Sequence, residues 1–125
     1  MSPSDSAGYI QYEVSVEVEV TLVQSYRLWL DTYVREMVSF PGFVSARLYD
    51  VLAPAPPAGM QGFCVQFVLR DTASLDIYLR EHAMKFRASS LALFGDHARA
   101  NRSRRVMRHT ITFDHDAEAS DSDGG

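Results

Sequence analysis

The chain has 125 residues, 46% of them apolar, which suits one folded domain and excludes two independent ones. Its formal charge is −4, yet six of the 16 acids (Asp5, Asp114, Asp116, Glu118, Asp121 and Asp123) lie near the ends, leaving ten against 12 bases between them. Neither the overall acidity nor that small internal excess of bases is the electrostatic footprint of a nucleic-acid binder.

Residues 1–8 read as a disordered leader, lacking the basic segment and apolar stretch of a secretory signal. From Ile10 to Val20 apolar residues occupy every even position and Gln11, Glu13, Ser15, Glu17 and Glu19 the odd ones, a period of two that predicts a strand. The period then lengthens. Leu22, Tyr26, Trp29, Leu30, Tyr33 and Met37 recur in steps of three and four, predicting an amphipathic helix that Pro41-Gly42 ends. Strands follow over about Phe43 to Val51 and about Phe63 to Leu69, separated by the proline-rich loop APAPPAGMQG. Asp71, Thr72 and Ser74 are N-cap candidates for a second helix carrying Leu75, Tyr78, Leu79, His82 and Phe86 on one stripe and running to Phe94, with Gly95 as its stop. A last strand, about Arg104 to Phe113, precedes an acidic tail over 114–125 that reads as disordered.

The folded domain therefore spans 9–113 in the order βαββαβ. This predicts an α+β, ferredoxin-like fold in which two helices cover one face of a four-stranded antiparallel sheet. The third strand is apolar on both faces, with Phe63, Val65, Phe67 and Leu69 on one and Cys64 and Val68 on the other. Such a strand expects cover on both sides, which points to sheet-to-sheet pairing in a homodimer. Cys64 is the single cysteine, so no intramolecular disulfide can form and a reducing compartment is expected. No apolar stretch is long enough to span a bilayer, so the expectation is a cytoplasmic protein without membrane partners.

His82 is the leading catalytic candidate, because its place on the helical stripe points the imidazole toward the sheet as a base or donor in a pocket. The competing reading is a neutral histidine paired with a carbonyl or acid, as buried polar groups usually are. Arg47 alternates with Ala46 and Leu48 and so shares a sheet face with Glu13 and Glu17. It reads as part of an interface ion-pair network or as an anchor for an anionic ligand. Trp29, Tyr33 and Phe86, with Tyr26, are candidates for an aromatic ligand-binding wall between helices and sheet, against the ordinary reading of core packing. Arg102, Arg104, Arg105 and Arg108 divide between two strand faces and read as a solvated edge. His97, His109 and His115 have no metal-ligand spacing, and no phosphate loop, dinucleotide fingerprint or nucleophile elbow occurs, so neither metal nor cofactor is expected.

The segments SARLYDV (Ser45 to Val51), YLREHA (Tyr78 to Ala83), FRASSLALFGD (Phe86 to Asp96) and RSRRVM (Arg102 to Met107) resemble a bacterial domain-of-unknown-function family of the dimeric α/β-barrel superfamily, over about residues 9–113. The resemblance implies the fold and a homodimer. The wider superfamily includes cofactor-independent quinol monooxygenases, polyketide cyclases, muconolactone isomerases, haem-degrading enzymes and ligand-sensing domains, a diversity that transfers no mechanism. The leading expectation is a homodimer holding a small apolar or aromatic molecule between helices and sheet, as a cofactor-independent isomerase, cyclase or monooxygenase. The alternative is a non-catalytic dimerisation or ligand-sensing module.

Overall fold

The computed structural model describes residues 8–115, with the side chains of 99–103 excepted. The expected leader and acidic tail lie outside the described residues, apart from Gly8, Asp114 and His115. Strand β1 (Ile10–Glu19) leads through a short 3-10 turn at Val20–Leu22 into α1 (Val23–Val38). Strands β2 (Phe43–Val51) and β3 (Met60–Leu69) follow, then helices α2 (Thr72–Glu81) and α3 (Ala83–Phe94), a 3-10 turn at Gly95–His97, and β4 (Ala98–Arg108). The sheet is antiparallel in the order β2-β3-β1-β4, the ferredoxin-like arrangement.

Strand β1 sets the lengths of its neighbours. It pairs with β3 from Ile10↔Leu69 to Glu19↔Met60, so β3 begins three residues before Phe63, where its own apolar run begins. It pairs with β4 from Val18↔Ala98 to Ile10↔Arg108, with a register irregularity between Val14 and Val16. The last strand therefore starts at Ala98 and stops at Arg108, earlier at both ends than the expected Arg104 to Phe113. Beyond Arg108 the pairing runs one residue further, His109 exchanging backbone hydrogen bonds with Tyr9 and Gly8 just ahead of β1, and Ile111 and Phe113 stand exposed.

The second helix is also corrected: it is two helices broken at His82, whose backbone (φ −126°, ψ −27°) leaves helical geometry. Neither glycine nor proline causes the break. The hydrophobic phase does, because α2 buries Leu75 and Tyr78 while α3 buries Ala83, Phe86 and Phe94. A continuous helix would put His82 on the buried stripe. The break advances the phase by one residue, so that Ala83 takes that place; Leu79, within α2 itself, is exposed. His82 N–H still bonds the Tyr78 carbonyl (2.8 Å), and its own carbonyl accepts from Lys85 N–H (3.1 Å), so it closes one helix and opens the next. Asp71 caps α2, accepting from the Ser74 N–H at 2.8 Å. At the foot of that helix a Cβ on Gly42 would overlap the Ser74 side chain, and the glycine has φ +90°, so no other residue fits the turn.

One sheet face, carrying Tyr12, Val16, Val18, Phe63, Val65, Phe67 and Leu69, packs under the helices to form the core with Tyr26, Leu30 and Met37. The opposite face is polar at its centre. No helix among the described residues is long and apolar enough to cross a membrane.

Candidate functional site

Between the helices and the β1/β4 half of the sheet lies a cavity of about 570 Å³, within the roughly 300–1,000 Å³ usual for small-molecule sites. Its floor is strand: Tyr12, Val14 and Val16 from β1, Val65 and Phe67 from β3, Ala98 and Arg104 from β4. Helix α1 contributes Tyr26, Trp29, Leu30 and Tyr33, which recur on one side of the helix because they stand three and four apart. Helices α2 and α3 contribute Tyr78, Ala83, Phe86, Arg87, Ser90 and Leu91, and the turn after them Gly95 and Asp96.

The aromatic residues form a continuous wall. Trp29 stacks on Tyr33 (5.1 Å between ring centres, 11° between planes), and Tyr33 meets Phe86 at 4.5 Å. Tyr26 touches both Trp29 and Phe94, at 5.4 and 5.1 Å. Polar atoms orient these rings: the Trp29 indole N–H donates to Ser89 Oγ (3.1 Å), and the Tyr33 and Tyr78 hydroxyls bond one another (3.2 Å). Burial pushes the Tyr33 phenol well above its ordinary pKa, and the neighbouring Tyr78 pushes it further. Burial likewise raises Tyr26 and Tyr78 to about 12, and it raises Tyr12 against the opposing pull of Arg104 and Arg87. At neutral pH the four phenols are therefore O–H groups, able to donate hydrogen bonds but not to act as ready bases.

Trp29, Tyr33 and Phe86 thus meet in one cavity, while His82 and Arg47 stand apart from it. His82 is half-buried at the α2/α3 junction and stacks on Phe40 at 4.2 Å, outside the lining, because the helix break turns it off the sheet-facing stripe. Arg47 lies on the other side of the sheet. Its register partner is Gln66, which also pairs with Glu13, and Glu13 in turn with Arg105, so the four form one row across the strands. The carboxylate in that row belongs to Arg105 and not to Arg47: Arg105 Nε and Nη2 reach Glu13 Oε1 at 2.9 and 2.7 Å, and Gln66 Nε2 reaches Oε2 at 2.7 Å. Gln11 completes the chain by donating to Gln66 Oε1 (2.9 Å). The Glu13 side chain is only 8% exposed; burial opposes its ionisation, but the bonds from Gln66 and Arg105 outweigh it and hold the pKa below the ordinary value.

The residues that sequence reasoning missed are Arg87 and Arg104. Arg104 sits opposite Val14 in register, on the helix-covered face, whereas Arg105 beside it faces the other way. Strand alternation separates the two arginines. What it lacked was the register on β1 that says which of them meets the aromatic residues.

This combination of a β4-β1-β3-β2 sheet, helices on one face and a cavity between them defines a ferredoxin-like domain. The chain belongs to the domain-of-unknown-function family DUF4286, which matches residues 9–109. No functionally curated protein matches it in sequence. Among solved structures it is similar to SnoaB, a cofactor-independent oxygenase from Streptomyces nogalater, with a TM-score of 0.60 and 13% identity over 87% of this chain and 100% of that one. A conserved protein from Methanosarcina mazei Go1 superposes with a TM-score of 0.58 at 16% identity, over 86% of this chain and 96% of its own. A dimeric ferredoxin-like protein from an uncultured marine organism gives 0.58 at 12% identity, over 84% and 98%. At these identities the likeness is one of fold.

Proposed function

We propose that the protein binds a small, flat, aromatic molecule in the cavity between its helices and sheet. The observation that carries this reading is the cavity itself, about 570 Å³ walled by Tyr26, Trp29, Tyr33 and Phe86 and fitted with phenolic donors. A space of that size left open among large aromatics forgoes the packing that a core of such residues would otherwise gain, which a ligand would restore.

The lining contains hydroxyl donors, guanidinium groups and one carboxylate, Asp96, but no histidine among the described residues. A reaction in this site would be of the kind carried by positioning: cofactor-free isomerisation, cyclisation or oxidation of an already activated aromatic. The missing histidine favours a second reading, a ligand-sensing module without turnover. Both readings use the same binding site. The protein in this account is a homodimer joined through the outer sheet face, where exposed Arg47, Tyr49 and Val44 flank the Glu13 network.

Calorimetric titration with 2-naphthol, a neutral two-ring phenol, tests the site. Binding is expected for the native protein, and Val14→Phe, which places a ring in the cavity from its floor, is expected to weaken it at least about tenfold. Ser90→Phe fills the cavity from the helix side and is expected to do the same. Unchanged binding in both folded variants would place the ligand elsewhere.

A further inference from the structure

We infer that Arg87 and Arg104 form a two-armed clamp for one carboxylate, so that the ligand of the cavity is an aromatic acid; this rests on the reading of the cavity as a ligand site. Three observations carry the clamp. The two guanidinium groups come from opposite layers, Arg87 from α3 and Arg104 from β4, yet both line the same cavity. Neither has an ion pair or hydrogen bond among the described residues, whereas Arg105, next in the chain to Arg104, is committed to Glu13 on the other face. Both oppose the burial that raises the pKa of Tyr12 and of Tyr78, two phenols that line the same cavity.

Both guanidinium groups are exposed to solvent at the cavity and hold no carboxylate of the chain among the described residues, so an anion entering the cavity can pair with both. Asp96 also lines the cavity but forms no ion pair with either arginine, so it does not fill that role. A carboxylate held by two guanidinium groups gains charge-assisted, bidentate hydrogen bonds, and its ring would then lie against Trp29, Tyr33 and Phe86. The Tyr12 and Tyr78 hydroxyls, kept protonated, are donors to the same oxygens. Arg is suited to this because its planar fork matches a carboxylate, and Lys at either position would not.

The test compares two probes of the same shape, 2-naphthoate and its neutral amide, 2-naphthamide, by calorimetry on the native protein and on Arg87→Gln/Arg104→Gln. The native protein is expected to prefer the carboxylate about tenfold or more, and the double variant to bind the two within about twofold while keeping its affinity for the amide. Both arginines are exposed, so the variant is expected to fold. Equal affinity of the native protein for both probes, or a preference that survives in the double variant, would overturn the clamp and leave the cavity reading standing. Binding of neither probe would overturn both.

Discussion

The two faces of the sheet handle charge in opposite ways. On the outer face Glu13 is nearly buried, and every one of its polar contacts comes from the chain itself: Arg105 on one oxygen, Gln66 on the other, Gln11 behind Gln66. On the helix-covered face the aromatic wall is equally well built, but Arg87 and Arg104 line the cavity with no ion pair or hydrogen bond among the described residues. A satisfied buried charge is part of the scaffold. Exposed guanidinium groups that line a cavity without an ion partner among the described residues are what the proposed ligand would meet. On the proposed reading, structure belongs to one side of β1 and ligand binding to the other, from alternate residues of the same strand.

The largest stability effect that sharpens this contrast is on the outer face. Glu13→Gln leaves Arg105 facing an amide and is expected to cost about 1–2 kcal/mol, less than for a fully buried pair because Arg105 is 62% exposed. The pH dependence follows from the sign of the shift. The folded pKa of Glu13 lies below the ordinary carboxylate value, so its stabilisation is complete above about pH 4.5 and is lost as pH falls through the lower folded value. Urea titrations from pH 7 to 3 should show this acid limb in the native protein and a weaker one in Glu13→Gln, with 2-naphthol binding at pH 7 the same in both. A coupled loss of binding would break the division between the faces. A smaller effect belongs to His82. Its stack on Phe40 is worth about 0.5–1.5 kcal/mol, so His82→Ala should lower the melting temperature by a few degrees without weakening binding. A variant of native stability that binds no probe would return His82 to the site.

Much of this fold could be read from residues alone. The alternation from Ile10 to Val20 and the steps from Leu22 to Met37 located the first strand and helix, and the second strand has its expected bounds, because each element's own apolar period decides it. The elements misjudged were those decided by a neighbour. Strand β4 takes its ends from β1, and the last helix breaks where burying Ala83 is better than burying His82, a choice visible only when Tyr78 and Phe86 are packed together. The same distinction governs the site. Trp29, Tyr33 and Phe86 were visible as large rings at helical spacing, whereas placing Arg104 and Arg87 in the lining of one cavity needed both the register of β4 and the phase slip at His82.

The central claim, a ligand site on the helix-covered face and a self-satisfied network on the outer one, is tested most directly by nitrogen-edited NMR during titration with 2-naphthol. The Trp29 indole N–H reports the cavity and the Gln66 side-chain amide reports the Glu13 network. The account predicts that the Trp29 signal moves in a saturable way while the Gln66 amide stays in place. Movement of the Gln66 amide with a stationary Trp29 signal would contradict it.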